Sequence, residues 1–336
     1  MKSPNGKFYA WRMGLKAGCE VAIMKDYKLK ILLTGSTGMV GKNFLEHPKC
    51  LEYCIIAPSR QELNLLDYGS VEKYIRHHKP DFIIHAAGLV GGIQANIERP
   101  VDFLIDNLDM GRNLIGASLQ AGIKQVINIG SSCMYPRNRE EALTEDMVLC
   151  GQLEPTNEGY ALAKVTITRL CQYITAQYPG FFYKTLIPSN LYGRWDKFGQ
   201  TNSHLVPAII DKLHRAVVNK QTEVVIWGDG AARREFLYVG DFADCLHRAI
   251  AKFDTLPMLM NVGLGYDYSV YDYYRAVANV VGYTGEFVYD LTKPVGMARK
   301  LVNISKAESW GWHSRSKMEE GLRKTYAYYL KHVFND

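Results

Sequence analysis

An apolar run, KLKILLT (28–34), passes directly into GSTGMVG (35–41), and this junction constrains the fold more than any other stretch of the chain. The run reads as a buried first strand, and the segment that follows, through His47, reads as an amphipathic helix. Each glycine meets a steric need of a strand–turn–helix unit. Gly35 permits the tight turn, Gly38 lets backbone approach a pyrophosphate at the helix N-terminus, and Gly41 lets the helix lie close on the strand. Ser36, Thr37, Met39 and Val40 fill the turn between them and belong to the same candidate cradle. A bare glycine pattern is often only a turn. Its place between strand and helix points to a dinucleotide.

Strand-like and helix-like segments then alternate at regular intervals. YCIIAPS (53–59), DFIIHAAG (81–88), QVINIG (125–130) and FYKTLIP (182–188) read as strands, and 101–121 and 158–178 as helices. This rhythm predicts an α/β fold, a doubly wound parallel sheet of Rossmann type. After Asn190 the rhythm loosens into a helix near 204–218, a strand at 223–227, a basic turn at Arg233 and Arg234, short elements around 258–290 and a final helix at 316–333. The predicted organisation is therefore an extension over 1–27, a dinucleotide-binding domain over 28–190, and a smaller lobe over 191–336 with some segments returning to the first domain.

The second strand bears on which dinucleotide is bound. An NAD site usually ends this strand with an acid for the ribose hydroxyls, whereas here Ser59 and Arg60 stand there, which favours the 2′-phosphate of NADP. A plain surface arginine is the alternative. Asp67 is placed to reach the adenine edge, and the small residues Ala86 and Ala87 let backbone pass close to the cofactor.

Candidate chemistry lies between Gly130 and Lys164. Tyr160 and Lys164 stand four apart, so on a helix they share a face. A phenol ionises near ~10, and an adjacent ammonium favours the phenolate, so Tyr160 is expected to exchange a proton with a sugar hydroxyl or carbonyl near neutrality. Ser131 is placed to hold the same oxygen. Together with the glycine turn, these residues point to a nicotinamide-dependent enzyme of short-chain dehydrogenase type.

Composition excludes several other classes. With 336 residues, 47% of them hydrophobic, the chain can bury a large core. No apolar run approaches the ~20 residues that cross a bilayer. Seven scattered cysteines without a CxxC pair argue against a disulfide framework or a zinc site and suit a reducing cytoplasm. Of the net charge of +6, residues 1–29 carry six basic and two acidic groups, hence +4, so no nucleic-acid surface is expected on the fold. The first 27 residues lack the sustained apolar core of a secretion signal, and Met24 looks like a more natural start.

Several longer runs carry a resemblance: GSTGMVG, QELNLLD (61–67), VGGIQAN (90–96), GSSCMYPR (130–137), LEPTNEGYALAK (153–164), IPSNLYG (187–193), NSHLVPA (202–208), VVIWGDG (224–230) and RREFLYV (233–239). In this order they resemble the extended short-chain dehydrogenase/reductases, and within them the GDP-L-fucose synthases, which epimerise and reduce GDP-4-keto-6-deoxy-mannose. The resemblance implies Ser131, Tyr160 and Lys164 as catalytic residues, with Cys133 and His204 as the base and acid of epimerisation. It implies Asn64, Leu65, Ile129, Gly130, Pro188, Asn190, Leu191 and His204 along NADPH, and Ser132, Cys133, Asn190, Lys212, Trp227, Arg234 and Lys300 around the GDP-sugar. It also implies a homodimer built on helices 101–121 and 158–178, and no metal.

The chemistry of a 4-keto sugar agrees with these residue types. Its hydrogens on C3 and C5 are acidic, because either enolate places its charge on O4, where Ser131 and Tyr160 can stabilise it. A thiol with a reference value near ~8.5 and an imidazole near ~6.5 suit proton removal from one face and return from the other. The chain departs from the family pattern at Val295, where an acid is common, and at Lys212, where an arginine is familiar. Three alternatives therefore stay open: a 3,6-dideoxy substrate giving GDP-L-colitose, a heptose analogue, and a non-catalytic NADP-binding regulator. A 4,6-dehydratase needs acids just after the serine, and Ser132 and Cys133 stand there instead.

Overall fold

The computed structural model describes residues 28–199, 203–293 and 297–334. β1 (Lys30–Thr34), β2 (Cys54–Ile56), β3 (Phe82–His85), β4 (Gln125–Ile129) and β5 (Phe182–Pro188) lie in one parallel sheet. β6 (Asn190–Tyr192), β7 (Glu223–Trp227), β8 (Arg233–Arg234) and β9 (Phe236–Tyr238) lie outside it, and β10 (Leu259–Val262) returns to its edge beside β5. The resulting order, β10-β5-β4-β3-β1-β2, is that of a Rossmann-type sheet with helices on both faces.

The two-residue period of a strand sorts its side chains between those faces. Ile31, Leu33, Phe82, Ile84 and Ile127 enter one core with Phe242 and Leu246 of the helix Val239–Ala251. Leu32, Ile83 and Val126 point the other way, onto Leu114 and Ile115 of the helix Pro100–Gln120 and Ile167 and Ile174 of the helix Glu158–Gln177. Each such side chain, taken fully from water, contributes about 1.5–3 kcal/mol. The helix carrying Tyr160 and Lys164 is thus fixed by packing along its length.

Beyond the sheet, the helices Leu205–Val218, Val270–Val281 and Met318–His332 enclose a second core with Val224 and Ile226 of β7. β11 (Tyr268–Ser269) flanks β8, β12 (Glu286–Asp290) pairs with β7, and β13 (Arg299–Lys300) lies on the other side of β8.

Two expectations are corrected. The second strand spans only Cys54–Ile56 rather than 53–59, because it sits at the sheet edge and Pro58 has no N–H to continue a ladder. Arg233 and Arg234 form a short strand rather than a turn. Buried Asp267 accepts from Arg233 Nε at 2.6 Å and from Arg299 Nε at 2.5 Å, clamping β8 to β13. Arg234 pairs with Lys300 in the next register position, so strand alternation turns both away from that clamp. Residues 1–27 and Val295 lie outside the described residues, and the expectations for them with it.

Candidate active site

The glycine turn has the shape its sequence predicts. Gly35 lies at φ +73°, and a Cβ there would come 2.6 Å from the backbone of Ala86 and Ala87. Only glycine fits that left-handed, crowded position. A Cβ on Gly41 would meet Ser36 Cα at 2.7 Å, which explains its role in close packing. Gly38 is different. A Cβ there would find only Gly35 O, at 3.4 Å, so nothing within the chain demands glycine. The space kept open above Gly38 is the cradle a pyrophosphate requires, so the turn fits a dinucleotide.

Around this turn several expected cofactor residues also hold the frame. Ser36 Oγ donates to Pro58 O at 2.8 Å, tying the turn to the end of β2. Leu65 is buried, and its carbonyl accepts from Asn113 Nδ2. Asn64 Oδ1 accepts from Leu66 N, and Asp67 Oδ1 accepts from Gly69 N at 3.0 Å, capping the helix Tyr68–His78. The carboxylate expected at the adenine edge therefore has one oxygen engaged as a helix cap. Arg60 is exposed just past β2 and makes no ion pair among the described residues.

The sheet delivers the reactive cluster at the carboxyl end of β4. Ser131 opens the 3-10 turn Ser132–Met134, and its Oγ accepts from Cys133 N at 3.2 Å. Tyr135 is buried and donates to Asn261 Oδ1 at 2.5 Å, anchoring the end of that turn. From the facing helix, Tyr160 approaches Ser131, which acts to lower its phenol. Lys164 is buried and donates to Ile129 O at 2.9 Å. Ser131, Cys133, Tyr160 and Lys164 thus converge from two elements, and Ser132 is buried beneath them.

Electrostatics correct one expectation. Tyr160 is pushed above the usual phenol range, first by burial and then by Cys133, with Ser131 pulling the other way. Lys164 is pulled down to about 8, chiefly by burial, and its ammonium sits on a backbone carbonyl. Desolvation disfavours the charged form of each. The phenol therefore holds its proton, the state required of an acid.

The sulfur of Cys133 has two donors. Asn157 Nδ2 lies 3.2 Å away and Lys300 Nζ 3.6 Å away. Lys300 was expected to touch the sugar nucleotide, and the structure sets it against the thiol. It also acts on His204, which begins the helix Leu205–Val218 without capping it. Burial, Lys197 and Lys300 all lower the imidazole.

The remaining expected sugar-nucleotide residues lie mostly outside the main sheet. Lys212 Nζ donates to Val225 O, and burial lowers it. Trp227 is exposed at the end of β7, with Lys293 Nζ 5.6 Å from its ring centre, so it is not a core residue. Arg234 is lowered by burial and raised by Glu154, which places it near the loop leading to Asn157. At the end of β5, Pro188 leads into Asn190 and Leu191 of β6, and Asn190 Nδ2 donates to Glu235 O at 3.3 Å.

Comparison with known proteins decides the family. Residues 31–263 match the NAD dependent epimerase/dehydratase family. The chain belongs to this family. Among its members, the chain is 52% identical over 308 residues to GDP-L-colitose synthase of Yersinia pseudotuberculosis, covering 92% of this chain and all of the relative. It is 48% identical over 301 residues to GDP-L-fucose synthase of Azorhizobium caulinodans, covering 90% and 96%. Among solved structures it is similar to MlghC, a GDP-mannoheptose C4 reductase from Campylobacter jejuni with NADP bound, at TM-score 0.81 and 30% identity, covering 90% and 98%.

Two polar residues of this epimerase/dehydratase chain were not anticipated at the site. Asn107 Oδ1 accepts from Leu89 N while its Nδ2 donates to Leu89 O and Phe103 O, fixing the loop after β3. Asn157, on Cys133, precedes Tyr160 by three residues and was hidden within a run noticed only for Tyr160 and Lys164.

Proposed function

We propose that this chain is an NADPH-dependent epimerase-reductase that acts on a GDP-4-keto-6-deoxy sugar, inverting C3 and C5 and reducing C4 to give GDP-L-fucose. One observation carries the reading: Ser131, the thiol of Cys133, and the Tyr160–Lys164 helix face meet at the carboxyl end of β4. Relatives named GDP-L-fucose synthase and GDP-L-colitose synthase, each aligned over at least 90% of this chain, support it.

The residues then divide the work. Ser131 and Tyr160 hydrogen-bond O4, which makes the hydrogens on C3 and C5 acidic and stabilises the enolate charge. Cys133 takes a proton from one face, and His204, in its protonated form, returns one from the other. Bound NADPH supplies the hydride that reduces C4. Tyr160 gives its proton to O4, and the neighbouring Lys164 ammonium stabilises the phenolate left behind. Gly35 and Gly38 would hold the pyrophosphate, and Arg60 the 2′-phosphate. Residues 28–190 thus serve the cofactor, and 191–336 mainly the sugar nucleotide, with Lys212, Trp227 and Arg234 on the GDP.

The 52% relative favours a second reading, GDP-L-colitose formation from the 3,6-dideoxy analogue, which needs inversion at C5 alone. A heptose substrate is a third. NADPH oxidation with each 4-keto sugar nucleotide in turn tests them. Fastest turnover of the 6-deoxy-mannose substrate supports the first reading, preference for the 3,6-dideoxy analogue supports the second, and no oxidation with any of them overturns the function.

The enzyme acts as a homodimer in the cytoplasm. The helices Pro100–Gln120 and Glu158–Gln177 pack together and leave Val101, Ile105, Leu162 and Tyr173 exposed as an apolar stripe. Among the described residues no helix is long and apolar enough to cross a membrane. Light scattering at twice the 38.1 kDa chain mass would support the dimer, and a monomer mass would refute it.

A further inference from the structure

Asn157 occupies the N-cap position of the helix that carries Tyr160, yet its side chain makes no capping hydrogen bond. Asparagine is favoured at such positions because its oxygen accepts from the first-turn N–H groups. Here that oxygen is buried without a partner, and the amide nitrogen donates to Cys133 Sγ at 3.2 Å. The side chain has forgone both a cap and the satisfaction of its own acceptor. The contact it keeps is with the sulfur.

Taking Cys133 as a proton-transfer group, as the reading above does, we propose that Asn157 is a positioning residue that holds the sulfur in place for the sugar. Lys300 Nζ, on β13, is the second donor, 3.6 Å from the same atom. Donors arriving from separate elements restrict the side chain's rotation and hold the sulfur as a hydrogen-bond acceptor in one position. Asn157 also links the two halves of the chemistry. It begins the helix that presents Tyr160 and Lys164, so its amide ties the thiol's position to that of the phenol.

Two substitutions separate positioning from a structural role. Serine and aspartate are both good N-caps, so Asn157→Ser and Asn157→Asp preserve or improve helix stability. Serine is too short to replace the amide, and aspartate replaces the donor with an acceptor. With GDP-4-keto sugar in D2O, both variants are expected to keep melting temperature and NADPH affinity while incorporating deuterium at least about 10-fold more slowly. Alkylation of Cys133 by iodoacetamide, followed by peptide mass spectrometry without substrate, is expected to change rate in both variants. Wild-type exchange and alkylation rates in both variants would overturn the proposal. If the unmodified enzyme exchanges no deuterium with any keto sugar, the function proposed above fails, and the alkylation measurement still decides the role of Asn157.

Discussion

Lys300 Nζ stands 3.6 Å from Cys133 Sγ although 167 positions separate them in the chain. The contact joins two sheets: Cys133 follows β4 of the six-stranded sheet, and Lys300 belongs to β13 of the three-stranded one. That strand is positioned by its pairing with β8, so the thiol's environment depends on folding well away from it.

Removing the ammonium tests this contact and its reach to His204. Lys300→Gln is expected to slow deuterium exchange by roughly 10–100-fold, as loss of a charge-assisted hydrogen bond would. The imidazole is lowered by burial, Lys197 and Lys300, so a donor role for His204 is favoured as pH falls below its ordinary value. With one ammonium gone, that rise in exchange is expected to move to higher pH. A pH profile of exchange that stays fixed would show that Lys300 does not act on His204.

Asp267→Asn is expected to destabilise the pairing of β8 with β13. The carboxylate is buried, while its partners Arg233 and Arg299 are roughly half exposed, which discounts the ion pairs. Loss of about 1–3 kcal/mol is expected in a denaturant titration. Burial alone would raise Asp267, but the hydrogen bonds and charges of Arg299 and Arg233 outweigh it and lower it. Its contribution is therefore complete above the unfolded value of ~3.9 and is lost as pH falls through the lower folded one. Equal stability of Asp267→Asn and wild type at pH 7 would contradict the clamp.

Arg60→Ala addresses cofactor choice. Losing a guanidinium–phosphate contact is expected to raise KM for NADPH by ~10–100-fold and to leave KM for NADH nearly unchanged. Parallel changes in both would remove Arg60 from the 2′-phosphate.

Gly35→Ala is expected to lower the melting temperature and weaken NADPH binding together. The position needs a left-handed backbone, and the new methyl would lie 2.6 Å from Ala86. Left-handed strain alone costs about 1–2 kcal/mol. Wild-type stability would mean that the turn relaxes.

Much of this arrangement was legible in the sequence because local pattern determined it. β1, the glycine turn and the helix Glu158–Gln177 announce themselves by apolar period and steric demand, and β7 falls on Glu223–Trp227 as expected. Other features depend on long-range contacts. β8 and β13 are too short to show any period, so Arg233 and Arg234 read as a turn and Lys300 had no visible link to Cys133. The phenol was misjudged because residue spacing shows a neighbouring ammonium but not the burial of both groups. Asn157 looks like an ordinary cap until its amide is seen on the sulfur.

The most direct measurement is the position of deuterium in the product formed from GDP-4-keto-6-deoxy-mannose and NADPH in D2O, by NMR, for the wild type and Cys133→Ser. The expected wild-type result is a fucose product labelled at C3 and C5. A thiol can ionise near neutral pH and a serine hydroxyl cannot, so labelling is expected to be abolished or crippled in Cys133→Ser while NADPH still binds. Full labelling at C5 in that variant, or NADPH oxidation by the wild type with no carbon-bound deuterium, would contradict the role assigned to the thiol.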